Sequence, residues 1–179
     1  MLTDEQLYTL AERMKIPLQR VCFKSELNEE PLVYNKSYII NLQDEVDEDT
    51  GEDNPGSHWV CFQVNKYPNG KIEAIYMDTY GIGPPDDVKA FVKVGLPYTE
   101  KNTQGLYDNY CGWGCLAFLH FINAGSIRSG DLYSDVEHFG ALFKNLNAEI
   151  GNEDANYNEF VLKQFFKAAP KAAGIKLNF

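Results

Sequence analysis

Cys111 stands where a polar loop, residues 105–110, runs into the apolar stretch CGWGCLAFLHFIN at 111–123. If that stretch is a helix, the thiol sits at its N-terminus. The unpaired amides and positive dipole end there favour thiolate over thiol, and a neighbouring imidazolium would lower the pKa further. His58 opens one β-type run directly after Gly56 and Ser57, and Asp78 closes the next one before Gly81. A cysteine, a histidine and a carboxylate that can hold the histidine's tautomer supply the chemistry of acyl transfer. The imidazole takes the thiol proton, later protonates a leaving amine, and is oriented by the acid.

That chemistry puts a demand on the elements beneath it. The runs 58–65 and 71–78 predict two strands joined through Pro68, Asn69 and Gly70. Pairing Asn65 with Lys71 places His58 opposite Asp78 on one face. A two-residue Asn69-Gly70 turn would put them on opposite faces. The triad therefore requires the longer loop or a bulge.

Other readings of the same residue types are weaker. Cys22, Cys61 and Cys115 read as inert buried thiols, and His120 and His138 as helix residues. Cys111 and Cys115 share a helix face, but His120 rotates away from it and no second ligand pair follows, which argues against zinc. The segment 44–56 holds seven acids. Counting from Asp47 or Asp49 puts no glycine at the sixth position of a calcium loop, so it reads as a solvated acidic loop.

Around these residues the pattern predicts an α+β fold. Thr3 and Gln6 form a capping box ahead of Leu7, Leu10, Ala11 and Met14, a short amphipathic helix that ends by Pro17. Residues 37–43 have the content of a strand. Pro84 to Asp87 start a helix that runs to about Val94, the 111–123 helix is buried centrally and capped at Ala124-Gly125, and two more helices lie near 133–146 and 157–168. Together they predict a small, mostly antiparallel central sheet packed on the helix headed by Cys111.

The chain has 179 residues, 44% of them hydrophobic, enough for one core, so a single domain over 1–179 is expected. No run reaches the length of a membrane span and the first residues are acidic, which predicts a soluble, intracellular protein with reduced thiols and no role for a membrane. A net charge of −10 opposes nonspecific binding to nucleic acid. Nothing in the sequence calls for a cofactor or a metal.

In order, Gly56-Ser-His-Trp59, Asp78-Thr-Tyr-Gly81 with Pro84-Pro85, Gln104 seven positions before Cys111, and the Cys111-Gly112 helix head resemble the adenovirus-type (adenain) and SUMO-protease (Ulp1-like) cysteine proteases. The resemblance runs from about 56 to 122 and is nearest to maturation proteases of adenoviruses, virophages and related DNA elements. It implies a papain-like, Ulp1-like fold, with Cys111 as nucleophile, His58 as base and Asp78 as its orienter. It also implies Gln104 in the oxyanion hole and Trp59 as a cleft wall, the plain alternative for Trp59 being a core tryptophan. The implied activity is endopeptidase processing of viral capsid precursors after glycine-containing sites, in the virion and host cytoplasm. The alternatives are an isopeptidase acting on SUMO- or ubiquitin-like conjugates, and a catalytically silent capsid or adaptor protein. An activating peptide is left open, and DNA is not expected to be required.

Overall fold

Strands β1 (Leu18–Phe23), β2 (Lys36–Asn41), β3 (Trp59–Lys66) and β4 (Ile72–Met77) lie side by side in chain order in the computed structural model, which describes residues 1–105, 108–124, 131–146 and 153–178. β1 runs parallel to β2, and the other two pairs are antiparallel. The parallel step needs a crossover, supplied by residues 24–35, which begin with the 3-10 turn Lys24–Glu29. β1 has no alternating pattern in its sequence, and its burial is confined to Val21 and Cys22, so only the pairing with β2 makes it a strand.

The sheet separates two apolar clusters. On one face Val21, Ile39, Cys61, Ile75 and Met77 meet α1 (Asp4–Arg13) and α3 (Cys111–Asn123), with α4 (Leu132–Ala141) and α5 (Glu153–Lys163) packed beyond. On the other face Tyr38, Ile40, Phe62 and Tyr76 meet Val88, Phe91 and Val92 of α2 (Asp86–Val92). The result is an α+β domain with a central sheet. Among the described residues no helix is long and apolar enough to cross a membrane.

α1 carries the expected capping box: Thr3 Oγ1 accepts from Gln6 N, and Gln6 Oε1 accepts from Thr3 N. α3 is buried on nearly every side, with Trp113, Leu116 and Phe118 fully enclosed, as its composition requires. Its C-terminal cap is Ala124; the adjoining Gly125 lies outside the described residues. A short C-terminal helix, α6 (Ala169–Ala172), begins around Pro170.

The β3–β4 hairpin decides the site. Lys66 pairs with Ile72 and Cys61 with Met77, while Tyr67 N donates to Lys71 O, so the chain turns through a longer loop than Asn69-Gly70 alone. Gly70, at φ +85°, takes the left-handed position that such a loop needs. The register differs by two residues from the one expected. A shift of two preserves the face, so continuing the ladder sets His58 diagonal to Asp78 and directly across from Tyr80.

Candidate active site

His58 and Asp78 lie where β3 begins and β4 ends, and the Nε2 of His58 is 2.8 Å from Asp78 Oδ1. The same oxygen accepts from Tyr80 N at 2.8 Å, which fixes the carboxylate in a local turn closed by Gly81 N to Asp78 O. Asp78 Oδ2 is buried and has no hydrogen-bond partner among the described residues. With Nε2 committed to Asp78, Nδ1 is the ring nitrogen left to serve Cys111, whose pKa His58 lowers. The Tyr80 ring stacks on the imidazole, with centroids 4.7 Å apart, the contact that the observed register brings about.

Cys111 is 3% exposed and receives the amide of Trp59 on its sulfur at 3.5 Å. Burial alone would raise its pKa, but hydrogen bonds from His58 and from the amides of Trp59 and Gly112 reverse this and hold the thiol below its ordinary value. For His58, burial opposes the charge, yet the hydrogen bonds to Asp78 and Cys111 outweigh it and lift its pKa to about 9. The two shifts act in the same sense, each favouring the thiolate–imidazolium form of the pair over the neutral one. By contrast, burial pushes Cys22 up to about 12 and Cys115 well above the ordinary thiol value. All four cysteines are free thiols.

The head of α3 has no side-chain cap; Tyr110 at the capping position makes none. An absent cap costs about 0.5–2 kcal/mol, an amount that the enclosed apolar side chains of α3 readily exceed at about 1.5–3 kcal/mol each. What it leaves are first-turn amides that the capping residue's side chain does not occupy. The Tyr110 hydroxyl instead donates to Thr103 O at 2.5 Å, tying the residue before the thiol to the residue before Gln104.

Gln104 is 2% exposed and held at both ends: Oε1 accepts from Thr79 Oγ1 at 2.5 Å, and Nε2 donates to Asp108 O at 2.6 Å. Thr79 O in turn accepts from the amides of Thr103 and Gln104. Gly114, one turn into α3, lies so close to Thr79 that a Cβ on it would stand 2.5 Å from Thr79 Cγ2. Thr79 thus joins Asp78, the Gln104 segment and α3. An amide nitrogen carries two N–H groups, so the bond to Asp108 O leaves Gln104 a second donor.

Trp59 is 8% exposed, part of the main core, and donates its indole N–H to Leu2 O at 2.9 Å. Trp59 also lines a cavity of about 540 Å³. Gly112 serves the packing of the helix head. A Cβ there would stand 3.3 Å from both Leu2 Cδ1 and Trp59 Cδ1, so the glycine admits these two side chains against the helix head.

His120 Nδ1 lies 3.1 Å from Met14 O, as befits a structural histidine. Glu26, Glu29 and Glu45 are the one group of three or more ligand-type side chains within 4.8 Å of one another among the described residues, on a largely exposed acidic surface where Arg20 pairs with Glu29. Leu2, Thr79, Tyr80 and Tyr110 went unrecognised in the sequence. Thr79 and Tyr80 sit inside the Asp78–Gly81 motif, but nothing in the sequence marks Leu2 or Tyr110.

No family model and no curated protein matches the sequence. Among solved structures, HopZ1a in complex with IP6 superposes with a TM-score of 0.43 and 11% identity over 74% of this chain and 46% of its own. This chain thus spans less than half of that one, and the likeness is too loose to carry a statement about activity or substrate.

Proposed function

We propose that the chain is a cysteine endopeptidase of the adenain and Ulp1-like type, acting on viral precursor proteins at glycine-containing sites. The observation that carries the reading is the 2.8 Å hydrogen bond between His58 and Asp78, together with a Cys111 thiol that receives the Trp59 amide and has a lowered pKa at an uncapped helix head. The Cys111 thiolate attacks the scissile carbonyl carbon, and the electron pair moves to oxygen. That oxygen is met by the Cys111 amide and by the remaining Nε2–H of Gln104. His58 Nδ1–H protonates the leaving amine as the C–N bond breaks. Water, deprotonated by His58, then attacks the thioester and expels the thiolate. Asp78 keeps the imidazole oriented throughout and stabilises its charge whenever the ring holds both protons.

The test is cleavage by wild type and Cys111→Ala of three substrates: a capsid precursor, a ubiquitin-like conjugate with a Gly-Gly terminus, and a glycine-containing peptide library. Thermal melting is measured alongside. Turnover of the precursor that vanishes in Cys111→Ala, with the melting temperature kept, supports the reading. Turnover of the conjugate alone moves the chain to the isopeptidases, and no turnover of any substrate leaves a silent capsid or adaptor protein.

A further inference from the structure

The capping box that starts α1 also sets the course of the residue before it. The reciprocal bonds between Thr3 and Gln6 fix the backbone where the helix begins, and Leu2 leaves that point turned inward. It is 4% exposed, against 39% for Met1 beside it. An apolar residue just before an N-cap is commonly a staple to the helix that follows, and Leu7, at the matching position in α1, lies in the same core cluster. A staple accounts for the burial of Leu2. It does not account for what else Leu2 touches.

Two further contacts join Leu2 to the surroundings of Cys111. Its carbonyl accepts from the Trp59 indole N–H at 2.9 Å. Its side chain covers Gly112 so closely that a Cβ on the glycine would stand 3.3 Å from Leu2 Cδ1 and 3.4 Å from Leu2 Cβ, with Trp59 Cδ1 also at 3.3 Å. Leu2, Trp59 and Gly112 thus meet at the head of α3. Trp59 is the residue whose amide donates to Cys111 Sγ at 3.5 Å, and Gly112 carries the next amide of the helix, which also favours the thiolate. Trp59 is the first residue of β3 and pairs with Asn41 of β2, whereas the ladder to β4 begins only at Cys61. A strand end paired on one side alone is held loosely by its ladder, so the direction of its amide depends on what anchors its side chain. That anchor is Leu2.

We propose that Leu2 is a positioning residue for the nucleophile: its carbonyl, through the Trp59 indole, and its side chain, against Gly112, keep the Trp59 amide on Cys111 Sγ and the first turn of α3 in place beside it. The inference rests on the peptidase reading above and gives the segment before α1 a part in arming the thiol. Leu2 acts through Trp59 and Gly112 and not on the reacting atoms. The capping box then serves the site as well as the helix, because it directs Leu2 onto both.

The experiment follows the rate of Cys111 alkylation by iodoacetamide from acid to alkaline pH, with peptide mapping of the modified cysteine and thermal melting alongside. Wild type is compared with Leu2→Ala, Leu2→Met, Trp59→Phe and Leu10→Ala. The acid limb of the profile reports the thiolate. His58 with Asp78 behind it, Tyr80 and Cys115 are the titratable groups around the sulfur and are the same in every variant, so a displaced limb reports the amides. Loss of most of one amide hydrogen bond to the thiolate raises the thiol pKa, so the limb should move up by about one pH unit in Leu2→Ala, a roughly tenfold slower reaction below it. Leu2→Met, which refills the space, should restore the wild-type limb. Trp59→Phe, which removes the indole donor and keeps a ring and the backbone amide, should move it in the same direction as Leu2→Ala. Leu10→Ala, in the same helix and core cluster, should lower the melting temperature and leave the limb in place. A limb unmoved in Leu2→Ala overturns the inference; should that variant fail to fold, an unmoved limb in Trp59→Phe does so. A limb that moves as far in Leu10→Ala overturns it too, since general loosening of the core would then suffice. A wild-type limb at the ordinary thiol value refutes the nucleophile itself and this inference with it, whereas a low wild-type limb that Leu2→Ala leaves in place refutes only the role of Leu2.

Discussion

Asp78→Asn tests the electrostatics of the site with little change of shape. In wild type the alkaline limit of the ion pair is set by His58, whose pKa is raised from 6.5 to about 9. The shift corresponds to about 3 kcal/mol favouring the protonated ring, and hydrogen bonds to Asp78 and Cys111 both contribute. An asparagine keeps an oxygen for Tyr80 N and removes the charge. The limit should then move from about 9 towards 6.5, stopping short of it because the thiolate still favours the imidazolium. At pH 8 a ring of pKa 9 is about nine-tenths protonated and one of pKa 6.5 about 3%, so the fall in active form is at most roughly 30-fold there and small at pH 6. Histidine ring NMR titration reads this without any substrate, and with three histidines in the chain His58 is identified by its loss in one variant. The pH profile of turnover should show its alkaline limb displaced by the same amount. A wild-type His58 that titrates near 6.5, or a limit near 9 that survives in Asp78→Asn, would refute the assignment of Asp78 as the group that holds the charge.

Gln104→Ala should lower turnover by roughly 10²-fold if its second N–H meets the oxyanion. It should also cost about 1–3 kcal/mol of stability, because the Thr79 hydroxyl and Asp108 carbonyl lose buried partners; kinetics and urea unfolding separate the two effects, and an unchanged kcat would make the residue purely structural. Gly114→Ala should destabilise by about 1–3 kcal/mol and reduce activity by pushing α3 off Thr79. Adding Thr79→Ser, which deletes the opposing methyl and keeps the hydroxyl for Gln104, should recover most of both losses; no recovery would place the strain elsewhere. Duplex DNA titrated into the cleavage assay should not activate, given a net charge of −10, and strong activation that fades with added salt would show a local basic face outweighing it.

Local pattern carried much of this protein. Capping chemistry at Thr3, the unbroken apolar run from Cys111 to Asn123, and the turn residues around Gly70 are short-range signals, and each yields its element because neighbouring residues alone set it. The candidate residues Cys111, His58 and Asp78 were legible for the same reason, as chemically apt side chains at the ends of predictable elements. The face shared by His58 and Asp78 was legible only as a condition, since a one-residue change in the hairpin register would reverse it. What the tertiary structure alone decided are the contacts between segments distant in the chain: the pairing of β1, Thr79 lodged against Gly114, Tyr80 over His58, Leu2 on Gly112, and the cavity beside Trp59. Each depends on how closely two backbones approach. That distance is set by the packing of the whole core and leaves no periodic trace in either segment by itself.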